Sequence, residues 1–242
     1  MLQPRSLDIV LPCYKPSGAW TEEILQAGQA LAGMLTGVRL RLILVNDGSG
    51  EYVTAAHLRQ LEAGLPQFLY IENPVNMGKG FTLRRGVEAS DAELCIFTDV
   101  DFPYTLESVM AIYGMLRSGT DIAIGIKDAD YYRKLPPVRV RISRFLRWLS
   151  GVFLRISITD TQCGLKGFNA RGKAVFLRTT INRYLADLEF IFLADREKGL
   201  SMKPVTVHLR EHVVFSRINP KILLTEGRNF MKVWAKATFG WK

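Results

Sequence analysis

Cysteine and histidine are scarce in this 242-residue chain, three of each, and neither is arranged for chemistry. Cys13, Cys95 and Cys163 are odd in number, far apart and without the paired spacing of a zinc site. That excludes a disulfide framework and fits reduced thiols in a cytosolic setting. His57, His208 and His212 are scattered and no Ser or Cys stands in a nucleophile context, so a hydrolase triad is unsupported. His208 or His212 could still reach a site from the last strand. Ten prolines and twenty glycines are too few for a collagenous or disordered chain. The apolar run Ile9 to Cys13 is too short for a secretion signal. No window of about 18 residues is free of charge. The longest candidate, Phe145 to Ile158, carries Arg147 and Arg155, so any membrane contact is expected to be peripheral.

Acidic residues are the minority, 23 against 32 basic, which leaves a net charge of +9. Such a surface attracts polyanions: nucleic acid, anionic lipid or phosphorylated ligands. No recognition motif or aromatic stacking platform accompanies the charge, which argues against nucleic acid. With 48% hydrophobic residues the chain is globular, with room for one large α/β domain or two small ones.

Short apolar runs bounded by turn residues recur at Leu7–Cys13, Leu40–Val45, Phe68–Ile71, Leu94–Thr98 and Ile122–Ile126. Each reads as a buried strand. Helical patterns lie between them, at Thr21–Leu35, Tyr52–Ala63, Gly80–Ala89 and Leu106–Arg117. The alternation predicts an α/β fold with a mostly parallel sheet covered by helices, whose ligands sit beyond the carboxyl ends of the strands.

The loops at that edge are polar. Asp99-Val100-Asp101 follows the fourth strand, and carboxylates at i and i+2 of an extended segment project the same way. They can share a hard divalent cation, or else form a solvated turn that caps the helix near Thr105. Asp47, before Gly48 and Ser49, can accept hydrogen bonds from a nucleobase or ribose, or serve turn chemistry alone. Asn76-Met77-Gly78-Lys79-Gly80 opens a helix with glycines and a lysine, which suits diphosphate binding. The Walker spacing is missing, which disfavours ATP hydrolysis.

The second half differs. Tyr131 to Arg155 interleaves seven basic residues with Phe145, Leu146, Trp148, Leu149, Val152, Phe153 and Leu154, and resembles a basic amphipathic helix. It is either a solvated face over a core or a surface for anionic membrane. Lys221 to Lys242 is a second segment of this kind. Asp160 to Phe168 reads as a turn and an edge strand, and Asp187 and Glu189 open a helix as dipole partners.

Together Pro12 with Tyr14, Asp47-Gly48-Ser49, Asn76-x-Gly78-Lys79-Gly80, Asp99-x-Asp101 and Asp160-Thr161-Gln162-Cys163-Gly164 resemble, in this order, the family 2 glycosyltransferases of the GT-A fold. Within them the last block resembles the polyprenyl-phosphate branch, on the side of the dolichyl-phosphate glucose synthases, with bacterial undecaprenyl-phosphate relatives. The resemblance covers roughly Leu7 to Arg217 and implies a single GT-A domain over residues 1–218, followed by a C-terminal basic amphipathic segment over 219–242.

It further implies that a hexose moves from a nucleotide-diphosphate sugar, UDP-linked by preference with GDP-mannose as a second option, to a polyprenyl phosphate, with inversion. Pro12, Tyr14, Asp47, Lys79, Val100, Lys127 and Arg217 would serve the donor, with Asp99 and Asp101 also holding Mg²⁺ or Mn²⁺. Asp160, Asp101 and Gln162 would be catalytic, Asp160 as a base for a hydroxyl acceptor or as a support for the sugar or Lys166. Arg141, Ser143 and Arg144 would receive the acceptor phosphate. The implied place is the cytoplasmic face of a membrane, in cell-envelope glycan assembly, with a homo-oligomer left open. Tyr14-Lys15-Pro16 stands where the family has Tyr-Asn-Glu, Gly125-Ile126-Lys127 where it has Gly-Ser-Arg, and Pro103 where some members place a third metal ligand. Transfer to a glycan or glycolipid hydroxyl, and a silent nucleotide-sugar-binding protein, stay open as alternatives.

Overall fold

Runs of Leu, Ile and Val buried on both faces form parallel strands, because a sheet sandwiched between helices has no solvated side on which polar residues could alternate. A computed structural model describes residues 4–127, 137–158, 160–211 and 220–239, and in it all five expected runs are strands. They are β1 (Ser6–Cys13), β2 (Arg39–Asp47), β3 (Phe68–Asn73), β4 (Leu94–Phe97) and β5 (Ile122–Lys127). Two more complete the sheet, β6 (Lys166–Asn169) and β7 (Met202–Val207), in the order β3-β2-β1-β4-β6-β5-β7.

β6 is not the edge strand expected from its turn-like sequence. It lies between β4 and β5, antiparallel to both, pairing Ile96 and Ala123 with Gly167. The edge is instead β7, parallel to β5, where Pro204 fits because an edge strand needs no N–H on its free side.

The helices are α1 (Trp20–Met34), α2 (Ala55–Gly64), α3 (Lys79–Glu88), α4 (Leu106–Arg117), α5 (Pro137–Leu149), α6 (Ala170–Leu177), α7 (Ala186–Arg196) and α8 (Pro220–Phe239). α2 begins three residues later than its pattern suggested, because Thr54 caps it: its hydroxyl accepts from His57 N while His57 Nδ1 accepts from Thr54 N. A π-helical turn, Ser150–Leu154, extends α5 and ends at Arg155 in the left-handed region, φ 51°.

Two hydrophobic clusters cover the sheet faces. α1, α2 and α4 pack through Ile24, Leu31, Leu61 and Ile112 on one side. On the other, α3, α6, α7 and α8 pack through Leu83, Phe176, Phe190 and Val233. There Phe97, Phe168, Phe176 and Phe190 interlock with ring centroids 5.1–6.2 Å apart. The C-terminal amphipathic segment therefore docks on the domain itself, with Phe230 and Val233 buried and Lys236 paired to Glu189 at 3.1 Å.

Candidate active site

Parallel strands deliver their following loops to one edge, and the loops after β1, β2 and β4 meet there around two adjoining cavities that share Tyr14, Asp99 and Val100. The first, about 520 Å³, is lined by Pro12, Tyr14, Asp47, Asn76, Lys79, Asp99 and Val100. The expected donor residues among the described loops thus converge on it, except Asp101 and Lys127. The second, about 630 Å³, adds Trp20, Glu23, Asp101 and Arg210, with Glu23 and Arg210 ion-paired across its wall.

Asp47 is buried and fully engaged. Its Oδ1 accepts from Asn73 Nδ2 and Met77 N, both at 2.8 Å, and its Oδ2 from Asn76 Nδ2 at 3.0 Å and Gly78 N at 2.9 Å. The carboxylate ties the β2 loop to the entry of α3. That entry differs from the open anion site expected of it: Gly80 N and Phe81 N donate to the carbonyl of Asn182 at 2.9 and 3.2 Å. Gly78, at φ 98°, lets the chain pass against that carbonyl, where a Cβ would collide. The N–H groups of Gly78, Gly80 and Phe81 are thus already engaged, and the Lys79 side chain is what the entry brings to the cavity.

The Lys79 ammonium pairs with Asp99 Oδ1. Burial alone would lower its pKa, but the charges of Asp99 and Asp187 outweigh that effect and hold it above the ordinary lysine value. Asp101 is exposed at the cavity, yet desolvation by the surrounding walls and the charge of Asp99 raise its carboxyl pKa. Two carboxylates crowded in this way fit a hard divalent cation. Among the described residues no set of three His, Cys, Asp or Glu side chains gathers for a metal, and Pro103 contributes none. Thr105, not an aspartate, caps α4, its hydroxyl accepting from Ser108 N at 3.3 Å.

Beside the cavities lies a second polar cluster. Asp160 Oδ2 accepts from Lys127 N at 2.8 Å, and Lys127 Nζ lies 3.7 Å from Asp160 Oδ1 and donates to the Gln162 carbonyl at 3.1 Å. Asp160, Gln162 and Lys127 line neither cavity. Asp160 supports Lys127, while Lys166, its other expected partner, pairs with Asp187 at 2.7 Å. Asp187 and Glu189 are thus not free dipole partners. Glu189 is fully buried and accepts from Thr180 N, Ile181 N, Thr180 Oγ1 and Lys236 Nζ at 2.7–3.1 Å.

Arg141 and Arg144 are exposed on α5 and Ser143 is half-buried there; none lines either of these two cavities. Arg217 and His212 lie outside the described residues, and His208 lines neither cavity. Burial pushes the Cys13 and Cys95 thiols up to about 12 and raises Cys163, as expected of inert packed cysteines. Sequence reasoning missed Arg183 and Tyr184, which line the first cavity from the loop before α7, and Glu23 and Arg210 in the second. A basic and an aromatic residue just before a helix was the available signal for the first pair.

Known proteins resemble this chain in sequence and in fold. A dolichyl-phosphate beta-glucosyltransferase of Trichomonas vaginalis is 28% identical over 179 residues, covering 70% of this chain and 54% of that protein. A dolichyl-phosphate beta-glucosyltransferase of Saccharomyces cerevisiae is 27% identical over 212 residues, covering 79% and 63%. The chain thus spans less than two thirds of the length of these relatives. Among solved structures, the mannosyltransferase PcManGT from Pyrobaculum calidifontis, in complex with GDP-Man and Mn2+, matches with a TM-score of 0.62 at 16% identity, covering 100% of this chain and 66% of that one. S. aureus TarS, in complex with UDP-GlcNAc, matches at 0.55 and 13% identity, covering 96% and 67%. These likenesses give the fold, GT-A. Residues 8–185, which carry β1 through the loop that brings Arg183 and Tyr184 to the cavity, match the glycosyl transferase family 2 model, and the chain belongs to that family.

Proposed function

We propose that this chain transfers a hexose from a nucleotide-diphosphate sugar, a UDP-sugar by preference, to a polyprenyl phosphate at the cytoplasmic face of a membrane, with inversion at the anomeric carbon. The observation that carries the reading is the exposed aromatic face of α5 and the turn after it, which meets the half-buried Trp234 of α8. Phe145, Trp148, Phe153 and Trp234 form a chain of ring contacts 6.0–6.4 Å apart, with Arg141 and Arg144 exposed on the same helix as the first two. Clustered exposed aromatics beside arginines suit an anionic lipid surface. This face is tied to the donor cavity: Lys236 Nζ donates to Thr180 Oγ1 at 2.9 Å and Leu185 N to Glu226 Oε2 at 3.0 Å, bracketing the loop that carries Arg183 and Tyr184. No helix among the described residues is long and apolar enough to cross a membrane. The names of the dolichyl-phosphate relatives support a lipid-phosphate acceptor and a hexose donor.

In this reading Pro12, Tyr14 and Val100 pack the nucleoside, Asp47 fixes the loops around it, and Lys79 offsets diphosphate charge. Arg183 supplies a further cation at the same cavity. Asp99 and Asp101 would hold Mg²⁺ or Mn²⁺, which when bound stabilises charge on the leaving diphosphate. The bond from the anomeric carbon to the diphosphate oxygen breaks with its electron pair on that oxygen. An acceptor phosphate oxygen forms the new bond from the opposite face. Such an acceptor needs little help from a base, since its second pKa of about 6 leaves it mostly dianionic at neutral pH. A hydroxyl acceptor would need one, and Asp160 is engaged by Lys127. Lys127 and Arg217 would add positive charge at the phosphates, and Arg141, Ser143 and Arg144 would receive the acceptor.

The test is transfer of labelled sugar from a panel of nucleotide sugars into organic-extractable polyprenyl phosphate, with Mg²⁺ or Mn²⁺ and with a chelator control. Metal-dependent label in the lipid phase is the expected result. Water-soluble transfer would move the acceptor to a glycan, and donor binding without turnover would favour a silent nucleotide-sugar-binding protein.

A further inference from the structure

Lys166 and Asp187 line neither cavity. The Lys166 side chain is fully buried, 5.5 Å from the Phe97 ring centroid, and its ammonium donates to Asp187 Oδ1 at 2.7 Å and to the Cys163 carbonyl. A buried ammonium is tolerated only when paired and hydrogen-bonded, and here both acceptors are fixed. The next residue is held from the other side, Gly164 N donating to the Tyr104 hydroxyl at 2.9 Å. The Cys163–Gly164 peptide is therefore clamped at both its carbonyl and its N–H.

That clamp presses Gly164 against Asp99. A Cβ at Gly164 would stand 2.5 Å from Asp99 Oδ2 and 3.4 Å from its Cγ, with the Tyr104 hydroxyl next at 3.6 Å. Asp99 Oδ1 meets Lys79. One carboxylate is thus bounded by an ammonium on one oxygen and by a bare glycine on the other. We propose that Lys166 and Asp187 are positioning residues for Asp99: their ion pair fixes the Cys163–Gly164 peptide, and Gly164 sets where the Asp99 carboxylate can stand. The effect on turnover rests on the transferase reading; the effect on Asp99 as a metal ligand does not rest on transfer.

The experiment follows Mn²⁺ binding to the full chain by electron paramagnetic resonance, beside thermal unfolding and transfer kinetics. Two variants are compared with the wild type. Gly164→Ala keeps the fold, because every atom near the new methyl is the end of a side chain, and displaces Asp99. The double variant Lys166→Met/Asp187→Leu removes the clamp without leaving one buried charge unpaired. Both are expected to bind Mn²⁺ about 10- to 100-fold more weakly, the usual cost of disturbing a group that orients a metal ligand, with kcat falling more than KM changes. Unchanged Mn²⁺ affinity and kcat in folded Gly164→Ala, or a double variant that loses only thermal stability, overturns the inference. A wild-type chain that binds Mn²⁺ but transfers no sugar overturns the transferase reading alone, since the variants' Mn²⁺ affinities still decide the positioning. A wild-type chain that binds no Mn²⁺ overturns the positioning inference, and the transfer kinetics then decide the transferase reading.

Discussion

Asp47 and Gly78 are joined by a 2.9 Å hydrogen bond from the glycine N–H to the carboxylate, across the gap between the end of β2 and the start of α3. Three further donors on the same carboxylate tie β2, the end of β3 and the entry of α3 together at the wall of the first cavity. Asp47→Asn presents an amide N–H to at least one group that itself donates. It should lower stability by about 2–4 kcal/mol, the scale of buried hydrogen bonds to charge, and weaken donor binding. Urea unfolding and calorimetric titration with UDP-sugar measure the two, and a wild-type-like result in both would refute the clamp.

Asp101 should cost the fold stability at neutral pH. Its carboxyl pKa is raised, first by desolvation and then by Asp99, so between the ordinary carboxylate value and the raised one the native state binds more protons than the unfolded chain. Stability then falls as pH rises through that window. Asp101→Asn is expected to melt higher than wild type at neutral pH in chelator, with the two curves converging in acid, while metal-dependent transfer is lost. A variant that melts lower at neutral pH contradicts this sign.

Arg141 and Arg144 should govern membrane attachment more than donor binding, because they are exposed on α5 and line neither cavity. Each cation near an anionic surface contributes about 1 kcal/mol, so Arg141→Ala/Arg144→Ala should partition to phosphatidylserine vesicles roughly 30-fold more weakly. Lipid-phosphate transfer should fall with it and donor affinity stay unchanged. Sedimentation with vesicles reads the first; equal binding by both proteins would count against the surface.

Glu189 anchors the loop that carries Arg183 and Tyr184. Glu189→Gln can keep its carbonyl on Thr180 N and Ile181 N, but it then turns its amide N–H groups toward the Lys236 ammonium and loses that ion pair, for an expected loss of about 2–4 kcal/mol. Donor affinity should drop in the same variant, because the loop lines the first cavity. Retained donor affinity in the folded variant would separate the loop from the site.

Much of the fold and the cavity was legible because parallel strands announce themselves as apolar runs and place their following loops together. Asp47, Lys79, Asp99 and Val100 were found on that logic and do meet. β6 was misjudged because Lys166-Gly167-Phe168-Asn169 has no apolar run; its burial comes from pairing on both sides and from a lysine that carries its own counter-ion, and neither is local in sequence. The entry of α3 was misjudged for a similar reason. Its free N–H groups find their acceptor at Asn182, about a hundred positions away. Asp160 and Lys127 show the same limit, since residues 33 positions apart pair only once β5 and the loop before β6 are side by side.

The reversed direction of β6 has a consequence for the segment between it and β5. Because the two strands are antiparallel, the chain leaves the sheet and returns to it at the same edge, and the return is latched by Gly125 N to the Leu165 carbonyl at 3.0 Å and by Lys127 N to Asp160. The excursion that carries α5 is also built into the domain: Leu154, Ile156 and Ile158 are buried in the core, and Ser157 N donates to Asp195 Oδ1 at 3.2 Å. Any change to this segment must therefore keep Leu154, Ile156 and Ile158 seated in the core if the strands at its base are to keep their partners.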